Sequence, residues 1–199
     1  PPDRQRLLVI GNGMVGHRFL RTMVEIGGIE RYEVIVFGEE PRPAYDRVNL
    51  TSLVKHGDPR QLLLSTREWY AASGIQLQTG AQVTAVDTTT RDVQLLNGRR
   101  FSYDHLIFAT GSTPFVPPIP GRDLPGVFVY RTVEDLQAII AASQSAGRAA
   151  VIGGGLLGLE AARAGNRASD IAHALAAPLD RAGIQRGARC GYPIGLSYP

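Results

Sequence analysis

Twice along this chain a short aliphatic run breaks on three glycines of one spacing and gives way to helical periodicity. Leu7-Leu8-Val9-Ile10 leads into Gly11-Asn12-Gly13-Met14-Val15-Gly16, after which Val15, Phe19, Met23 and Ile26 fall at helical spacing. Val151-Ile152 leads into Gly153-Gly154-Gly155-Leu156-Leu157-Gly158, followed by Leu159, Glu160, Ala161 and Ala162. A strand that is apolar along its whole length suits a parallel sheet covered on both faces. In a strand–turn–helix of this spacing the first glycine permits the tight turn. The second lets a diphosphate approach the backbone, and the third lets helix and strand pack closely. The helix start offers unpaired N–H groups and a partial positive charge to that diphosphate. A glycine-rich corner without a ligand is the plain alternative at either place, and a duplicated core strand is the alternative for the pair. Two dinucleotides in one chain suggest hydride passing from a nicotinamide to a flavin.

Val34-Ile35-Val36-Phe37 is a second buried strand and completes a right-handed βαβ unit with Leu7–Ile10. An acid at its end would accept hydrogen bonds from ribose hydroxyls. Glu39 is placed for that, with Glu40 second and a solvated loop carboxylate as the alternative. A carboxylate there disfavours a 2′-phosphate and suits FAD or NAD. The polar stretch 38–64, with Pro41, Pro43 and Pro59, reads as a functional loop with short helical turns. Ser65 and Glu68 have capping-box spacing for a short helix ending at Gly74, and Ile75–Leu77 is a third strand. An antiparallel meander follows through 83–86, 93–96 and 101–103, turning on Asn97-Gly98, and a buried strand returns over 105–109. Prolines at 114, 117, 118, 120 and 125 make a stiff connector. Thr132 caps a helix to about Ala146, closed by Gly147, and Ala149–Ile152 is a further buried strand. The expected fold is α/β. A doubly wound parallel sheet with a meander forms one dinucleotide-binding domain over 1–120, and the incomplete start of a second spans 121–164. Over 165–199 the pattern stops: seven Ala, five Gly, four Arg and three Pro, room for a weak helix between Ala168 and Ala177, and no second strand. That segment reads as an atypical, frame-shifted or disordered end.

Other chemistries find little support. The chain has 199 residues, 44% hydrophobic and 20% charged, and no apolar run of about 18 residues to cross a membrane. Its first residues lack a signal-type apolar core, and its net charge of +3 is too scattered for nucleic acid or an anionic membrane. The single cysteine, Cys190, makes no internal disulfide, so a reducing, cytoplasmic setting is expected. His17, His56, His105 and His173 show no metal spacing, and packing or surface roles suit them. Trp69 and Tyr70 read as core or rim, and Arg99-Arg100 as a solvated hairpin flank. No Gly-x-Ser-x-Gly elbow supplies a hydrolase nucleophile.

With these motifs in this order, residues 7–164 resemble the two-dinucleotide-domain flavoproteins of the pyridine nucleotide-disulfide oxidoreductase superfamily. Ala109-Thr110-Gly111-Ser112-Thr113-Pro114 is similar to the family's second FAD-side motif. The runs Gly13–His17, Phe37–Pro41, Tyr45–Leu50 and Gly153–Glu160 are similar to the amino-terminal part of the large subunit of bacterial NAD(P)H-dependent nitrite reductases. The resemblance implies electron passage from NAD(P)H through FAD towards siroheme and an iron–sulfur cluster. It implies FAD contacts from Gly11, Gly13, Met14, Gly16, Glu39, Thr110 and Gly111, with Tyr45 and Arg47 near the flavin ring and the Val86 backbone at the adenine. It assigns Gly153, Gly155, Gly158 and Glu160 to NAD(P)H, with Glu160 near the nicotinamide.

The departures from the family also carry information. No cysteine stands in 16–26 or in 42–50, where related disulfide reductases, coenzyme A disulfide reductases and NADH oxidases keep theirs. Direct electron transfer therefore survives, with no protein catalytic residue. One sulfur cannot ligate a four-iron cluster, so siroheme and cluster belong to a full-length relative only. The partners expected are NAD(P)H as donor and a downstream redox centre or small electron-transfer protein. A rubredoxin- or ferredoxin-type reductase, a non-catalytic fragment holding FAD or AMP, and an unfolded truncation product stand as alternatives.

Overall fold

The computed structural model describes residues 4–146, 148–165 and 172–175. The first half of the chain runs β1 (Gln5–Ile10), α1 (Met14–Glu25), β2 (Tyr32–Gly38), α2 (Leu53–His56), α3 (Arg67–Ala72) and β3 (Ile75–Thr79). Then come β4 (Val83–Asp87), β5 (Asp92–Leu95), β6 (Arg100–Ser102) and β7 (His105–Phe108). α4 (Val133–Ser143), β8 (Ala149–Ile152), α5 (Leu156–Gly165) and β9 (Ala172–Leu175) follow. The chain divides into two compact units. One holds the chain through Leu50 together with Asp58–Phe115, and the other holds Thr51–Gly57 and the chain from Val116.

In the first unit a parallel sheet has the order β3-β2-β1-β7, with Ile10 level with Phe37 and Phe108. Side-chain alternation along these strands builds two cores. Leu7, Val9, Val34 and Val36 meet Leu20 of α1 and Tyr70 of α3 on one face. Leu8, Ile10, Ile35 and Phe37 meet Val93 and Leu95 of the antiparallel sheet β4-β5-β6 on the other. Two covered faces explain why β1 and β2 read as unbroken apolar runs. From β1 the chain steps outward to β2 and β3 and later returns to β1's other side as β7. The carboxyl end of β1 is therefore a topological switch point, where open α/β sheets bind ligands.

The long loop carries short helical turns at Leu50–Ser52, α2 and Pro59–Leu62, as expected. Several details differ from the sequence reading. The N-cap of α3 is Thr66, whose side chain accepts from the Trp69 N–H. Ser65 is engaged elsewhere, its Oγ 2.8 Å from His17 Nε2. β7 is a sheet edge among the described residues, and Phe108 is 65% exposed where a buried strand was expected.

In the second unit, α4 ends at Ser143, short of Ala146, and Gly147 lies outside the described residues. β8 forms where expected but is largely exposed, with Ile152 at 59%. Among the described residues one flanking strand and one helix cover it, less than a doubly wound sheet requires. The sequence reading admitted no further strand, only a weak helix over 168–177. In the structure Ala172–Leu175 is β9, paired parallel with β8 so that Ile152 faces Leu175, and the rest of that stretch lies outside the described residues. Backbone pairing overrides weak side-chain pattern in so short a strand. The remainder of 166–199, Cys190 included, also lies outside them. Among the described residues no helix is long and apolar enough to cross a membrane, and no cluster of His, Cys, Asp or Glu could hold a metal.

Candidate functional site

The first glycine turn joins β1 to α1 at the switch point. Gly11 has φ +109°, a conformation that favours glycine, and a Cβ built there would stand 2.1 Å from the Ala109 carbonyl oxygen. A Cβ on Gly16 would stand 2.1 Å from the Gly11 carbonyl oxygen. Gly13 differs: a Cβ there would meet nothing within 4 Å. Gly11 and Gly16 are thus glycines because the fold has no room, whereas Gly13 borders open space. Gly13 is also the N-cap of α1, with no side-chain cap, and its carbonyl accepts from the His17 N–H at 2.9 Å. The N–H groups of the first turn, Met14 among them, precede that bond and are aimed out of the helix start.

The second turn repeats this stereochemistry. Gly153 has φ +123°, and a Cβ on Gly158 would stand 2.0 Å from the Gly153 carbonyl oxygen. Gly155 has nothing within 4 Å, and its carbonyl accepts from the Leu159 N–H at 3.1 Å. One difference is informative. A Cβ at Gly11 would collide with Ala109, while Gly153 has no such neighbour among the described residues.

Around the first turn the structure gathers several of the residues expected there. Thr110 N lies 2.8 Å from where a Gly11 Cβ would be, and Gly111 follows at φ +76°. Glu39 is exposed directly beyond β2. Glu40 is turned inward to Arg47, with Arg42 Nη1 3.8 Å from its Oε2, an atom that is buried without a hydrogen bond. This separates the two acids: Glu39 is available to a ligand, and Glu40 holds a loop arginine. The Arg47 guanidinium stacks 5.0 Å above the ring of Tyr45, which is buried and bridges to Leu63. Val86 sits opposite Val93 in β4, an edge strand whose alternate backbone groups have no strand partner among the described residues.

Asn12 escaped the sequence reading. Its Oδ1 accepts from the Tyr70 hydroxyl at 3.0 Å, while its Nδ2 is buried with no hydrogen bond. Burial pushes the Tyr70 phenol up, so it stays protonated and donates. His17 also lies here, its ring 5.4 Å from Trp69 and 6.3 Å from Tyr70. In the second unit, Glu160 Oε2 accepts from Thr51 Oγ1 at 3.3 Å, and the Tyr130 hydroxyl lies 2.7 Å from the same Oγ1. Neither Thr51 nor Tyr130 carried any motif. Their only sequence signal is that Tyr130 closely precedes the Thr132 cap.

The donor set fits a dinucleotide at the first turn. Bare backbone N–H groups face open space at Gly13, where among the described residues a Cβ would meet nothing within 4 Å, and an acid stands exposed at the next strand's end. Comparison with known proteins identifies the family. A family model described as pyridine nucleotide-disulphide oxidoreductase matches residues 5–182. The chain is 45% identical over 162 residues to the nitrite reductase (NADH) large subunit of Escherichia coli (strain K12), covering 81% of this chain and 19% of that protein. It is 43% identical over 160 residues to the assimilatory nitrate reductase electron transfer subunit of Bacillus subtilis (strain 168), covering 80% and 21%. The chain therefore spans about a fifth of the length of these relatives. Among solved structures, NADH:rubredoxin oxidoreductase from Clostridium acetobutylicum superposes with a TM-score of 0.76 at 25% identity, covering 91% of this chain and 48% of that one. The chain belongs to the pyridine nucleotide-disulphide oxidoreductase family.

Proposed function

We propose that, as a member of that family, this chain holds FAD on its first glycine turn and takes NAD(P)H on its second. It would thus serve as the reductase portion of a cytoplasmic assimilatory nitrite-reducing enzyme. The observation that carries the reading is the repeated stereochemistry: in each turn two glycines leave no room for a Cβ beside backbone, or need positive φ, while the middle one faces open space. At the first turn Gly13, Met14 and Gly16 offer N–H groups to the diphosphate, and Glu39 accepts from the adenosine ribose. Thr110 and Gly111 close the other side of the turn, and the edge of β4 at Val86 offers backbone groups to the adenine. Tyr45 and Arg47, held by Glu40, form a preordered wall for the ring system. When bound there, FAD would supply the hydride acceptor and the carrier for onward electron transfer. At the second turn Gly153, Gly155 and Gly158 do for NAD(P)H what the first set does for FAD, with Glu160 at the nicotinamide end. The acceptor is a downstream redox centre, siroheme with an iron–sulfur cluster, borne by sequence other than this chain.

Nitrite reduction is favoured over other acceptors by the 45% and 43% identities to nitrite- and nitrate-system proteins, against 35% to a benzene dioxygenase ferredoxin–NAD(+) reductase subunit of Pseudomonas putida. A rubredoxin- or ferredoxin-type reductase is the second reading, favoured by the backbone likeness to the rubredoxin enzyme. Anaerobic addition of NADH to the FAD-loaded chain tests the shared core of both. Bleaching of the flavin's visible band is expected. Retained colour with FAD bound reduces the chain to an FAD-holding fragment without turnover.

A further inference from the structure

The surroundings of Glu160 are built from two distant parts of the chain. Thr51 comes from the helical turn Leu50–Ser52, just beyond Arg47 in sequence. Tyr130 directly precedes the N-terminus of α4, where the Arg131 and Thr132 N–H groups both donate to Asp135 Oδ2, at 3.1 and 2.8 Å. Asp135 N–H returns a bond to Thr132 Oγ1 at 3.1 Å. That reciprocal cap fixes the backbone that follows Tyr130.

The proton order in the cluster follows from chemistry. A carboxylate only accepts, so the Thr51 hydroxyl donates to Glu160 at 3.3 Å and must itself accept from Tyr130 at 2.7 Å. The Tyr130 phenol is pushed up by burial and by the facing Glu160 carboxylate, so it keeps the proton this order requires. A chain of aligned hydroxyls ending on a carboxylate fixes its rotamer. Oε2 is thereby occupied, and Oε1 accepts no bond among the described residues.

We infer that Thr51 and Tyr130 are positioning residues that hold the Glu160 side chain in one orientation, with one oxygen reserved for the amide N–H donors of a nicotinamide ring. The inference rests on the reading of the second turn as a nicotinamide-nucleotide site and adds residues that no motif of that turn contains. It also gives Thr51–Gly57 a role. This segment lies in the second unit although its sequence neighbours lie in the first, and Thr51 is the residue through which it meets Glu160.

The test titrates NADH and ADP-ribose, which lacks the nicotinamide, anaerobically into the full chain saturated with pre-reduced FAD, by calorimetry. The parent is expected to bind both, NADH the more tightly. Thr51→Val and Tyr130→Phe should each weaken NADH by about tenfold and leave ADP-ribose unchanged, with Thr51→Ser restoring NADH. Equal weakening of both ligands, or no weakening of NADH, overturns the positioning role while leaving the second-turn reading intact. A parent that binds neither ligand overturns that reading and this inference with it. Thr51→Ser and Tyr130→Phe are close enough in shape to keep the fold, which a thermal transition matching the parent verifies.

Discussion

A single glycine can be required by the fold or by a ligand, and the first turn separates the two cases. Adding a methyl at Gly11 or Gly16 drives a Cβ to 2.1 Å from a backbone oxygen, so Gly11→Ala and Gly16→Ala should each cost about 1–3 kcal/mol in denaturant unfolding. Gly13 has φ −90° and ψ −165°, which alanine adopts freely. Gly13→Ala should unfold within about 1 kcal/mol of the parent yet lose FAD affinity by about tenfold, read by flavin fluorescence. His17 offers a second residue-scale prediction. Burial first, and Arg21 second, lower its pKa below 6.5, so the folded unit prefers the neutral ring. The unfolded chain binds the proton at higher pH. Stability from this group is therefore complete above 6.5 and is lost as pH falls through that value towards the folded pKa. Unfolding free energies measured from about pH 7 to 5.5 should fall less steeply for His17→Gln than for the parent. Spacing made the glycines legible, whereas the Tyr70–Asn12 bond joins residues far apart in sequence, and only folding brings them together.

At the scale of elements, what was legible followed from periodicity. β1, α1 and β2 carry unbroken apolar or helical patterns, and the meander carries Asn97-Gly98, with Gly98 at φ +83°. Caps were harder, because Ser65 and Thr66 are both good N-cap residues and only the His17 contact decides between them. Thr66→Ala should cost about 1 kcal/mol through α3, while Ser65→Ala should leave the cap intact, a difference that urea midpoints at constant m-value resolve. β9 was illegible for a related reason. Four residues, Ala172–Leu175, are too few for a period, and their pairing with β8 depends on the neighbour rather than on their own pattern.

For the whole molecule, the order of motifs revealed two glycine turns of one spacing, but not that Thr51–Gly57 belongs with the later unit. No composition shift marks that excursion; it shows in the packing of α2 against α4 and in Thr51's bonds to Tyr130 and Glu160. Glu39 and Glu40 show the same limit, since adjacency made them near equivalents and only geometry gave Arg47 to Glu40. The central claim is that bare backbone at a strand-to-helix corner grips a diphosphate joined to adenosine. Its most direct measurement is the quenching of flavin fluorescence as the purified chain is titrated into FAD and, separately, into FMN, which lacks the adenosine and the diphosphate bridge. The account predicts saturation with FAD at one per chain and affinity for FMN weaker by about tenfold or more. Equal affinity for the two flavins, or no quenching of either, would contradict it.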